Sequence, residues 1–70
     1  MNISINKNKV IMALAENNMT AHDLERKAKL GKNTIYTIFK HGTCTTKTMY
    51  KIAKALNAAV SELTDMEGLA

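Results

Sequence analysis

The stretch from Thr45 to Asn57 constrains the chain most. Met49, Ile52, Ala53 and Leu56 recur at i, i+3, i+4 and i+7, the strongest helical period in the sequence. Thr45 or Thr46 can cap this helix, and Asn57 suits the left-handed residue that stops one. Lys47, Lys51 and Lys54 then fall on the outer face. A helix with so regular an apolar stripe must bury it against other elements.

Those elements must be aliphatic. The 70 residues hold no Trp, no Pro, one Phe and two Tyr, so the core is built from Ile, Leu, Val, Ala and Met. Such a core suits helices better than a sandwich, and the length fits one domain, residues 1–70, with its core at about 5–65. The single Cys44 excludes an internal disulfide and points to a reducing compartment; it reads as an unreactive thiol in a turn. No apolar run approaches the roughly 20 residues of a membrane span, and no signal peptide is visible. The expected location is cytoplasmic, with no membrane contact.

Taken in order, Met1 to Ile5 fits either a few residues of strand or a disordered arm, since Ile3 and Ile5 alternate with polar residues. Asn6 can cap a first helix running to about Asn17, which buries Val10, Ala13 and Leu14 and leaves Ile11 and Met12 pointing elsewhere. Asn18 can end it. Thr20 can cap the second helix, with Asp23 near its positive end and Ala21, Leu24 and Ala28 inward. His22 reads as an exposed histidine. Only His41 and Cys44 could join it as metal ligands, so neither a metal nor another cofactor is expected. Glu25 is expected at the rim, partly exposed or paired with Lys29 or Lys32. A fifth helix is expected at about Val60 to Asp65, with Val60 and Leu63 inward and a patternless tail from Met66 to Ala70.

Lys29-Leu30-Gly31 separates the second helix from a third at residues 32–40, with Gly31 as its N-cap and Gly42 as its left-handed stop. Three residues between two short helices is the helix-turn-helix spacing. Ile35, Ile38 and Phe39 form the third helix's buried stripe. Asn33, Tyr36, Thr37 and Lys40 lie opposite, with Lys32 and Thr34 at the edges. That outer face offers hydrogen bonds to base edges and charge to phosphate, and it carries no acid. Net charge is +4, and its placement matters more. Eight basic side chains lie between Arg26 and Lys54, and no acid occurs between Glu25 and Glu62. This is the electrostatic footprint of a nucleic-acid binder.

Three stretches together resemble the DNA-binding domain of the lambda-repressor and Cro-like (XRE-type) helix-turn-helix regulators. Met19-Thr20-Ala21-His22-Asp23-Leu24 resembles the opening of that family's second helix, and Leu30 to Ile38 its recognition helix. Thr48 to Asn57, followed by Val60-Ser61-Glu62-Leu63, resembles its fourth and fifth helices. The chain departs from the pattern at Ala21 (usually Gln), Glu25 (usually small), Lys29 (usually Gly) and Phe39 (often an acid). The resemblance implies an all-α, compact five-helix bundle whose second and third helices form the helix-turn-helix. It implies a sequence-specific regulator of transcription, most simply a repressor, that binds a palindromic double-stranded operator as a homodimer. The expected base readers are Lys32, Asn33, Tyr36 and Thr37, with Thr34 beside them. The expected backbone clamps are Thr20 at the second helix and Lys40, Thr43 and Thr45 around the start of the fourth.

Two other classes deserve weighing. A protein-interaction module, such as an antitoxin or a regulator controlled by a protein partner, would use the same fold, with Ile11, Met12 and the Met66 to Leu69 tail as contacts. An enzyme is disfavoured: the sequence shows no paired carboxylates, no Gly-rich phosphate loop and no Ser/His/Asp set in a supporting context.

Overall fold

A computed structural model of the chain describes residues 2–64. The helix with the strongest period, α4, spans Thr46–Ala55. The Thr45 hydroxyl caps it, accepting the Thr48 amide at 3.2 Å. Met49 and Ile52 are completely buried, and Ala53 and Leu56 nearly so. The other elements wrap this stripe: β1 (Asn2–Ser4), α1 (Lys7–Glu16), α2 (Ala21–Lys27), α3 (Thr34–His41) and β2 (Thr43–Thr45) before α4, and a 3₁₀ turn (Val60–Glu62) after it.

Capping chemistry sets most of the boundaries. The Asn6 side chain accepts the Lys9 amide at the start of α1. Thr20 and Asp23 form a reciprocal capping box on α2. Three helices end in Schellman turns, with left-handed residues at Asn18 after α1, Lys29 after α2 and Asn57 after α4. Gly42 ends α3 at φ 76°, a conformation open to glycine at no steric cost. The core joins Val10 and Leu14 of α1, Leu24 of α2, Ile35 and Ile38 of α3 and the α4 stripe. Asn17 ties the ends of α1 and α4 together, its side-chain amide donating to the Ala13 and Leu56 carbonyls.

Two expectations about architecture need correction. The described chain is mostly helical with one short ribbon, in which β1 and β2 pair antiparallel with Ile3 opposite Cys44. The Thr43-Cys44-Thr45 alternation explains this: Cys44 points into the core while both β-branched threonines face out. Cys44 therefore lies in a strand rather than a turn, buried against the Met49 sulfur at 3.9 Å.

The described residues hold four α-helices rather than five, and the expected fifth is one 3₁₀ turn. The Glu62 carboxylate folds back onto the Ala59 amide at 3.1 Å. Thr64 is then already extended, bridging to Ile5, so the helix has no room to continue. Leu63 still reaches the core. The N-terminal arm is thereby ordered on both sides, Ile5 donating to Gly42 and Asn6 to Leu63. The expected Asp65 end of the fifth helix and the tail from Met66 lie outside the described residues.

Candidate nucleic-acid interface

The candidate surface is assembled where α2 hands over to α3. The α2 Schellman turn closes with Lys29 donating to Arg26 and Leu30 donating to Glu25. Lys29 holds φ 58° there, the glycine-favouring region. Leu30 packs half-buried on the core. A further turn at Lys32 and Asn33 follows, with Asn33 left-handed at φ 65°.

Helix α3 therefore begins at Thr34, not at residue 32, and Asn33 rather than Gly31 is its N-cap. The Asn33 side chain makes no capping bond. The reason is Glu25. Its carboxylate is buried, and Oε2 accepts the Ile35 amide at 3.0 Å. An acid from the preceding helix thus caps α3 and satisfies the positive end of its dipole.

The expectation of a rim residue paired with Lys29 or Lys32 fails here. Glu25 turns inward, and its other oxygen meets His22 Nδ1 at 3.2 Å. The Ile35 amide holds the carboxyl below the ordinary glutamate value of 4.5 against the opposing effect of burial, with smaller help from His22 and the Asn33 backbone. Both carboxylate oxygens are thus engaged where α2 meets α3.

The outer face of α3 is as expected from Tyr36 onward. Tyr36, Thr37 and Lys40 are exposed while Ile35 and Ile38 are buried and Phe39 is half-buried. Thr34 is half-buried, and Lys32 and Asn33 are exposed in the turn that leads into the helix. The Thr37 hydroxyl donates to the Asn33 carbonyl at 3.1 Å. The Tyr36 ring meets His22 in an edge-on arrangement, centroids 5.8 Å apart. The Lys7 ammonium sits over the Phe39 ring at 5.7 Å, tying α1 to the same helix.

The flanking threonines divide into two situations. The Thr20 hydroxyl is committed to the Asp23 amide, and the Asp23 carboxylate covers the Thr20 amide while pairing with Arg26. The N-terminus of α2 therefore already holds an anion, which opposes a phosphate at the same place. At α4 no acid occupies the first turn. Thr43 and Thr45 are exposed beside it, with Lys47 in that first turn. Thr45 both caps α4 and donates to the Thr48 hydroxyl at 2.9 Å.

His22 is the residue whose part in this surface the sequence reading missed. Its i, i+3 spacing from Glu25 was the available signal.

The chain matches the family model for Cro/C1-type HTH DNA-binding domains over residues 9–68. It belongs to that family. No curated protein and no solved structure gives a significant match. The match begins at Lys9 within α1 and runs past the 3₁₀ turn, and the ribbon strand β1 precedes the matched region. Among the described residues no helix is long and apolar enough to cross a membrane.

Proposed function

We propose that this domain is a sequence-specific regulator of transcription, acting as a repressor and reading the major groove of double-stranded DNA with α3. The single observation that carries the reading is the exposed, acid-free outer face of α3, bearing Tyr36, Thr37 and Lys40 directly after the exposed Lys32 and Asn33. Asn33 is suited to adenine, Lys32 to guanine and the Thr37 methyl to the thymine methyl. Tyr36 adds a hydroxyl, and Thr34 lies at the edge. Lys40, Thr43 and Thr45, with the acid-free start of α4, fit phosphate. Thr20 is the weakest of the proposed contacts because Asp23 occupies the α2 terminus.

One α3 reads too few base pairs for useful specificity. Two copies on a palindromic operator, with half-sites about 10 base pairs apart, supply the rest. The competing reading, an antitoxin or partner-controlled regulator, draws support from Ile11 and Met12, adjacent on α1 and 44% and 65% exposed.

Selection from a random duplex library, followed by titration in increasing salt, tests the proposal. A symmetric site should emerge, and about 4 to 6 neutralised phosphates per subunit should give a log–log slope several units negative. A flat salt response would remove the DNA reading and favour the protein partner.

A further inference from the structure

We propose that His22 is a positioning residue for DNA reading: it links the anchored Glu25 carboxylate to the Tyr36 ring, and the gain of a proton on its imidazole tightens the presentation of Tyr36. The inference rests on the reading of α3 given under Proposed function.

The geometry runs from α2 to α3. Glu25 is fixed at one oxygen by the Ile35 amide of α3 and offers the other to His22 of α2 at 3.2 Å. The two ends of this pair differ sharply in exposure, the Glu25 side chain at 5% and that of His22 at 57%. One end is therefore immobile and the other is open to protons from solvent. An ionised carboxylate only accepts, so Nδ1 must carry hydrogen in the bond. Protonation then turns a hydrogen bond with one charged partner into a salt bridge between opposite charges, which holds the imidazole more firmly against the fixed carboxylate. The ring so fixed lies edge-on to Tyr36, which is 53% exposed on the reading face.

The other charged groups around His22 are Asp23 and Arg26 on α2, which pair with each other, and Lys32 from the turn, which lines the same open cleft with Glu25 and Leu30. Glu25 is the group in direct contact.

Two measurements decide the matter. The first needs no DNA. The Tyr36 ring-proton resonances are followed by NMR from about pH 8 to 5.5, the range in which histidines charge. Tyr50, whose ring lies under the Lys54 ammonium, is the internal reference. Tyr36 should shift with the His22 titration and lose that dependence in His22→Phe, which keeps an aromatic ring but no proton. A Tyr36 signal indifferent to pH overturns the proposal.

The second measures affinity for the selected duplex against a scrambled one over the same range. The specific-to-scrambled ratio should rise about two- to fivefold on acidification, the scale of a partly exposed ion pair. It should stay flat in His22→Phe and still rise in His41→Gln, which removes the other histidine. If both affinities rise together at constant ratio, His22 is only an added charge facing phosphate and the positioning role is wrong. If no duplex is preferred over the scrambled one, the DNA reading fails, while the NMR result still decides the link from His22 to Tyr36.

Discussion

The Glu25 carboxylate accepts the Ile35 backbone amide at 3.0 Å, so an acid buried in α2 caps α3. The angle between α2 and α3 is therefore set by a charged hydrogen bond as well as by apolar packing. Removing it should be felt by the whole fold. Glu25→Ala leaves a buried amide without its acceptor, and the expected loss is about 1 to 3 kcal/mol in urea unfolding. Glu25→Gln retains an acceptor and should lose less. A Glu25→Ala variant within about 0.5 kcal/mol of wild type, the usual range for a surface substitution, would show that the bond contributes little.

The same bond predicts how stability depends on acid. The Glu25 carboxyl titrates below its ordinary value of 4.5 in the folded chain, chiefly through the Ile35 amide. A group with a depressed folded pKa binds its proton more readily when unfolded. Its contribution is fully present above the unfolded value and disappears as pH falls through the folded one. Wild type should lose stability below about pH 4.5, and Glu25→Gln should lose less over the same window. Asp23 titrates low as well, through its bonds to Thr20 and Arg26, and is common to both proteins. Equal acid sensitivity in the two would assign the effect to Asp23 instead.

Lys29 occupies a left-handed position at φ 58° that closes α2. A non-glycine residue there costs about 1 kcal/mol, part of which glycine gives back through the freedom of the unfolded chain. Lys29→Gly should therefore raise stability by up to about 1 kcal/mol. It should also make the salt slope of DNA binding shallower by about one unit if Lys29 touches phosphate. A destabilised Lys29→Gly would mean that the lysine side chain holds the turn.

Reading and clamping should separate between Asn33 and Lys40. Asn33 is exposed with φ 65° and makes no side-chain capping bond, so Asn33→Gly keeps the backbone and deletes only the amide. It should cost about 1 to 3 kcal/mol on the selected duplex and relax preference at one or two base pairs, with the salt slope unchanged. Asn33→Ala would add about 1 kcal/mol of folding cost from the left-handed backbone and confuse the comparison. Lys40→Ala should weaken all duplexes alike and reduce the slope by about one. An Asn33→Gly variant that loses selected and scrambled binding equally would remove Asn33 from base reading.

The sequence by itself determined the helices that carry a full apolar period and a good cap. The Met49, Ile52, Ala53 and Leu56 stripe, the Thr20–Asp23 box and the stops at Asn18, Gly42 and Asn57 all use contacts within about five residues. Such signals are local, and backbone sterics enforce them in any context. The exposed Tyr36, Thr37 and Lys40 were legible for the same reason, because one period assigns both faces of a helix.

Only the tertiary structure decided the rest. Asn2–Ser4 becomes a strand because Thr43–Thr45 lies beside it, a pairing of segments some forty residues apart. The last helix shrinks to one turn because Thr64 must reach Ile5. Glu25 turns inward because Ile35, ten residues on, presents an unpaired amide at the start of α3. That amide also moves the helix start to Thr34, since the cap arrives from another element rather than from Gly31. In each case a backbone group with no local partner found one across the fold. The requirement that buried polar groups be paired is general, but which distant residue answers it depends on how the helices pack.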